Sequence, residues 1–280
     1  HEEVAVQVAG LGIATVALEG GDRRSGGVVE SAGRLAGIVA QGVQALLHPI
    51  LAFERADDGR VVDVHARSSE APRTSAVLMV IEGYVEPAEE RALEAEIRVA
   101  LENVRLATRD HRAMLDAVRT AVGDLEVVKS KDSPLAVELE EIQEFLEWLE
   151  MGNFVFLGYR CYDIGGEGPA RAVRVRRGSS LGILSDETTS KVYDQVPLEH
   201  LPPELESRML TGPTLMVSKT NALSPVHRRS RMDDISIKRL DPAGTLVGAD
   251  RFLGLFTAKA FAQDASSIPI LRRKLREILE

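Results

Sequence analysis

Apolar and polar positions change their rhythm near residue 150. Leu11 to Leu18 is a nearly continuous apolar run of strand length, and Gly20, Gly21, Gly26 and Gly27 then mark a loop. Val28 to Gln41 places Val28, Leu35, Ile38 and Val39 near helical spacing, and Gly42 is a natural stop. Val43 to Arg55 is rich in β-formers. Asp57-Asp58-Gly59 is a turn signal leading into a strand at Arg60 to Val64. Ser75 to Val85 is the strongest strand of the first half. Pro87 then sits where a helix begins, with Glu89 and Glu90 in its first turn and Leu93, Ile97 and Leu101 along one face. Val104 to Thr108 is expected to return as a last short strand.

His111 to Val122 reads as a helix and Glu126 to Ser133 as a charged linker. Pro134 to Met151 is amphipathic, with Leu135, Leu139, Ile142, Phe145, Leu146 and Leu149 on one face. From Asn153 the period shortens to two. Strands are expected at Phe154 to Asp163, Ala172 to Arg176 and Thr214 to Lys219. Ile235 to Leu240 and Leu246 to Thr257 form a hairpin through Asp241-Pro242-Ala243-Gly244. Ser266-Ser267-Ile268-Pro269 opens a final helix carrying Leu271, Leu275, Ile278 and Leu279. The fold class is therefore α+β, in three parts. Residues 1–110 follow the strand-helix-strand-strand-helix-strand order of a ferredoxin-like (βαββαβ), ACT-like domain. Residues 111–152 form a helical connector. Residues 153–280 form a mostly antiparallel sheet of PAS-like or GAF-like type. ACT domains bind small amino acids at interfaces, an analogy at the level of fold.

At 280 residues the chain has room for about two domains. Its net charge of −9 makes nucleic acid an unexpected partner, with only Arg228, Arg229, Arg231, Lys238 and Arg239 clustering the other way. No apolar run approaches the roughly 20 residues of a membrane span, and His1-Glu2-Glu3 is unlike the basic start of a signal peptide. The single cysteine, Cys161, leaves no internal disulfide and no cysteine zinc cluster, and fits a cytoplasmic location.

Candidate chemistry is sparse. Gly10-Leu11-Gly12-Ile13-Ala14-Thr15 has its glycines before the strand, whereas a dinucleotide loop needs them between strand and helix. None of the histidines forms a His-x-x-x-His pair. His48 precedes Pro49 inside an apolar strand and reads as a core or interface residue. Asp233 and Asp234 are adjacent, so on a strand they point to opposite faces and cannot act on one bond. Their expected role is pairing with Arg228, Arg229 or Arg231. Lys219-Thr220-Asn221 and His227-Arg228-Arg229 are polar, basic and loop-like, which fits either a carboxylate site or a salt-bridge network. No catalytic, cofactor-binding or metal-binding residue is assigned. The candidate effector or interface residues are His48, Lys219, Asn221, His227, Arg228, Arg229, Asp233 and Asp234.

Several blocks resemble the N-terminal, non-catalytic region of the large bacterial NAD-specific glutamate dehydrogenases. They are Phe145-Leu146-Glu147-Trp148-Leu149 leading into Asn153-Phe154-Val155-Phe156-Leu157-Gly158-Tyr159-Arg160, then Leu181-Gly182-Ile183-Leu184, Lys219-Thr220-Asn221, Val226-His227-Arg228, Asp234-Ile235-Ser236-Ile237-Lys238-Arg239, Arg251-Phe252-Leu253-Gly254-Leu255-Phe256-Thr257 and Ile268-Pro269-Ile270-Leu271-Arg272-Arg273-Lys274. Earlier in the chain, His48-Pro49-Ile50-Leu51 is similar to the same region, whereas Gly20-Gly21-Asp22 departs from it. The resemblance implies a regulatory or oligomerisation segment of an enzyme of amino-acid catabolism. That enzyme oxidises L-glutamate to 2-oxoglutarate and ammonium with NAD, as a cytoplasmic homo-oligomer. No cofactor is expected in this segment, and NAD is expected in the full-length enzyme. The implied partners are the remaining domains of the polypeptide and an amino-acid effector, with no membrane. Two alternatives stay open: an architectural assembly segment without a ligand, and a standalone amino-acid sensor.

Overall fold

Proline and cross-strand pairing shape the first half of the chain. A computed structural model describes residues 4–9, 13–19, 43–47, 49–58, 60–65, 73–81, 87–128 and 136–279. It divides into two units, one of residues 1–105 with 224–229 and one of residues 106–223 with 230–280. The class is α+β.

The first unit holds β1 (Val4–Ala9), β2 (Ile13–Glu19), β3 (Val43–Leu47), β4 (Ile50–Arg55), β5 (Val61–His65) and β6 (Arg73–Ile81) in one antiparallel sheet, ordered β1-β2-β6-β4-β5. The β-rich run at 43–55 is split. β3 pairs with one end of β6 (Leu47 opposite Leu78) and β4 with the other (Ile50 opposite Ser75). Pro49, which has no amide to donate, sits at the break. Because β2 and β4 both lie antiparallel to β6, they run parallel to each other with β6 between them. The expected helix at 28–41 lies outside the described residues, as does His48.

Helix α1 (Pro87–Arg109) corrects one expectation: Val104 to Thr108 is its last turn and not a strand. Leu93, Ile97, Leu101 and Val104 are all buried, so Val104 continues the apolar face that the earlier residues begin. That periodicity outweighs the β-propensity of Val104 and Thr108.

In the second unit, α2 (His111–Val128) and α3 (Ala136–Trp148) cover an antiparallel sheet. The sheet contains β7 (Phe154–Gly165), β8 (Ala172–Val175), β9 (Leu181–Gly182), β10 (Val196–Pro197), β11 (Leu215–Leu223), β12 (Arg231–Leu240) and β13 (Leu246–Phe256), ordered β10-β8-β7-β13-β12-β11 with β9 also on β7. The charged stretch expected as a linker from Glu126 is still helical to Val128. α4 (Pro203–Leu210), α5 (Ala258–Phe261) and α6 (Leu271–Leu279) complete the unit.

One core joins helices and sheet. Met114, Val118, Ala121 and Leu125 of α2 meet Leu139, Ile142, Phe145 and Leu146 of α3 over Phe156, Ile235, Ile237 and Phe252. Phe252 is fully buried, with ring centroids 4.9 Å from Tyr159 and 5.8 Å from Phe156. A side chain of this size contributes roughly 1.5–3 kcal/mol by leaving water. The sheet passes close to itself at Gly254, where an added Cβ would lie 2.1 Å from the Val155 carbonyl oxygen. A smaller core under the opposite edge gathers Ile164, Val173, Val175, Val192, Leu198 and Leu201.

Charge, rather than apolar packing, ties α6 to α3. The buried Glu141 carboxylate accepts from the Ile270 amide at 3.0 Å and from Arg272 Nε at 3.0 Å, with Arg276 Nη2 at 3.3 Å. Arg272 also pairs with Glu144. Ile270 takes a φ of 68°, a left-handed conformation that is strained for a β-branched residue.

Candidate functional site

Lys219 lies on β11, as the strand expected at Thr214 to Lys219 has it, and Thr220 and Asn221 continue that strand and not a loop. The edge position explains the misreading: one strand flank and one face are open to water, so a polar sequence is tolerated. Register sets Lys219 opposite Asp233 and Ser218 opposite Asp234. Lys219 Nζ is 2.7 Å from the buried Asp233 carboxylate, whose other oxygen accepts from the Phe256 amide at 3.3 Å. Asp234 faces the other way and accepts from Arg251 through both Nε and Nη2, at 2.9 and 2.6 Å. The expected partners Arg228, Arg229 and Arg231 are thus replaced by Lys219 and Arg251. Burial lowers the Arg251 pKa, but the Asp234 bond outweighs it and the net direction is upward.

Asp250, Tyr159, Cys161, Asp163, Arg176 and Arg239 form a polar island in the second unit. The Tyr159 hydroxyl donates to Asp250 Oδ1 at 2.6 Å. Arg239 donates from Nη2 to Asp163 Oδ1 at 2.6 Å and to the Tyr162 carbonyl at 3.1 Å, and Arg176 meets the same carboxylate. Gly248 makes room for this, since a Cβ there would lie 2.3 Å from Arg239 Nη2. Burial pushes Asp250 above the usual carboxylate range, against the hydrogen bond from Tyr159 and the charge of Arg239. Burial and the Asp250 charge push the Cys161 thiol up to about 12. Burial also works to raise the Asp163 pKa, but Arg176 and Arg239 outweigh it and hold the carboxyl low.

These shifts mark the island as electrostatically unusual, which is where sites are sought. Its groups are engaged with one another. A thiol held at about 12 stays protonated at neutral pH and is a poor nucleophile. Asp163 is spent on two guanidiniums, and Arg160, 2% exposed, donates to the Leu184 and Asp186 carbonyls. The arrangement fixes strand positions rather than presenting groups to a ligand.

His227, Arg228 and Arg229 fall in the first unit, while Lys219, Asn221, Asp233 and Asp234 fall in the second. His227 adopts a φ of 67° in the turn after Ser224, whose buried hydroxyl accepts from the Val226 amide at 3.2 Å. Lys238 and Arg239 do not extend a basic surface either: Lys238 donates to the Gly212 carbonyl and Arg239 turns inward.

Sequence reasoning missed one cluster in the first unit. Glu54, Asp63 and His65 offer oxygen and nitrogen atoms within 4.8 Å of one another. Asp63 and His65 share a strand face at a spacing of two, and Glu54 stands opposite Asp63. His65 Nε2 lies 3.5 and 3.6 Å from the two exposed carboxylates, so an imidazole bridging an acidic pair accounts for the geometry.

The chain is similar to NAD-specific glutamate dehydrogenases. It is 30% identical over 241 residues to the NAD-specific glutamate dehydrogenase of Halomonas elongata, covering 85% of this chain and 15% of that protein. It is 27% identical over 241 residues to the enzyme of that name from Pseudomonas aeruginosa, covering 85% of this chain and 14% of that protein. The chain thus spans only 14–15% of the length of these curated relatives. No family model matches it. Among the described residues no helix is long and apolar enough to cross a membrane.

Proposed function

We propose that this chain is the N-terminal regulatory and assembly segment of a cytoplasmic, homo-oligomeric NAD-specific glutamate dehydrogenase, and that it senses an amino-acid effector. The observation that carries the reading is similarity over 85% of this chain to one small part, 15%, of a much longer enzyme of that name. Catalysis and NAD binding belong to the rest of the polypeptide.

Topology supports the finer assignments. In the first unit, β2 and β4 run parallel with β6 inserted between them, the split arrangement of a ferredoxin-like, ACT-like domain. β1 stands beside β2, on the flank where a strand after the second helix was expected. In the second unit the first long strand, β7, lies at the centre beside the last, β13, which fits a PAS-like or GAF-like sheet. ACT-type edges give amino acids a place to bind, and an effector that favours one quaternary state would change activity by its differential affinity.

The test is a thermal-shift screen of the chain against the twenty amino acids and NAD. A ligand at 100 times its Kd stabilises by about 2.7 kcal/mol. A rise of several degrees with one or two amino acids and none with NAD is expected. No rise with any amino acid rejects the sensor and leaves the architectural reading.

A further inference from the structure

The second unit carries an apolar groove of about 320 Å³, floored by Phe145, Trp148 and Phe256 and opening between the edge strand β11 and the start of α6. Its rim is exposed: Phe261 is 68% accessible and Val217 47%. Leu271 and Lys274 of α6 line the groove, and on the same helix Leu271, Leu275 and Ile278 are 43%, 38% and 77% exposed at the one-turn spacing of a helix face. None of the residues of α6 is buried. The helix is held in place by Glu141, through Arg272, Arg276 and the strained Ile270, so its apolar stripe faces outward in a fixed position.

We propose that this groove and stripe seat an amphipathic helix from another part of the same polypeptide, with its apolar face inward and an acidic side chain on its flank. The inference rests on the dehydrogenase reading above. Three observations choose the occupant. The relatives are far longer than this chain, which covers 15% of the Halomonas elongata enzyme, so most of such a polypeptide lies outside these residues. The stripe has helical period, which suits a partner that packs as a helix along α6. The charge of Leu271–Leu279 is positive: four basic residues (Arg272, Arg273, Lys274, Arg276) against one acid (Glu277) give 4 − 1 = +3. Arg272 and Arg276 are engaged by Glu141, and Arg273 by Glu277. Lys274, on the groove lining, has no carboxylate within ion-pair distance among the described residues and is left for the partner.

Hydrogen exchange of residues 258–279 in the full-length polypeptide and in this chain alone tests the proposal, together with zero-length carbodiimide cross-linking. The full-length protein should exchange there about tenfold more slowly or better, as local opening becomes costlier. Phe261→Glu should abolish that protection without changing the isolated chain, whereas Val99→Glu, at an exposed site on α1, should leave it. Lys274 should cross-link to an acidic residue elsewhere in the same polypeptide. Equal exchange in both proteins overturns the proposal. So does protection that rises with the concentration of the isolated chain, which would make the occupant a second copy. Fast exchange in a polypeptide that still reduces NAD with glutamate rejects the docking alone. Protection in a polypeptide without that activity rejects the dehydrogenase reading alone.

Discussion

Replacing Glu141 by glutamine should loosen α6 while leaving the sheet intact. The carboxylate is buried and receives the Ile270 amide and Arg272, with Arg276 at 3.3 Å. Glutamine keeps an oxygen for the amide but brings no charge and turns an NH₂ toward a guanidinium. Arg272 retains Glu144, which is 43% exposed, so the loss is smaller than the 3–5 kcal/mol of a fully broken buried pair. About 1.5–3 kcal/mol is expected, the range of one charge-assisted hydrogen bond. At about 2–4 °C per kcal/mol for a domain of this size, the melting temperature should fall by about 3–12 °C. Burial tends to raise the Glu141 pKa, but the Ile270 amide, Arg272 and Arg276 outweigh it and hold the carboxyl below its ordinary value. A depressed carboxyl stabilises above its unfolded pKa and loses that contribution as pH falls through the folded one. The gap between wild type and variant should therefore be full at neutral pH and close below about pH 4.3. Calorimetry across pH and hydrogen exchange over 271–279 give the readout. Equal melting at pH 7, or a gap that does not narrow as pH falls below about 4.3, refutes the clamp.

Three further outcomes are expected. Phe252→Ala removes a fully buried ring at the centre of the main core and should cost about 3–5 kcal/mol in denaturant unfolding; a loss below 1 kcal/mol would mean the helices do not pack on this face. The folded pKa of Asp250 is raised by burial, so stability should decline as pH rises from about 3.9 through that raised value, and Asp250→Asn should flatten the decline; identical profiles would show that Asp250 titrates as if exposed. Cys161 is 1% exposed with its thiol pushed up to about 12, so thiol reagents should label it quickly only in denaturant, and rapid labelling of the native protein would contradict its burial.

What could be read from the sequence was set by periodicity. Phe154 to Asp163 and the Ile235 to Thr257 hairpin alternate strongly enough to identify strands without any contact information. Val104 to Thr108 misled because two β-branched residues were weighed alone, whereas the spacing from Leu93 through Val104 keeps them helical. Thr220-Asn221, just past the expected end of the strand at Lys219, looked like a loop because an edge strand shares the polar composition of one. Partner choice was not legible at all. Asp234 meets Arg251 rather than Arg228, Arg229 or Arg231 because strand register, which no local pattern encodes, places Ser236 opposite Arg251 on the neighbouring strand. The Glu54, Asp63 and His65 cluster was hidden for the same reason, although the two-residue step from Asp63 to His65 was a usable sign.

The central proposal is that this chain is a non-catalytic part of a glutamate-oxidising enzyme. The most direct measurement is glutamate-dependent reduction of NAD, followed by NADH absorbance, for the full-length polypeptide and for residues 1–280 alone. Turnover by the full-length protein and none by the isolated chain is predicted. Turnover by the isolated chain, or none by the full-length polypeptide, would contradict it.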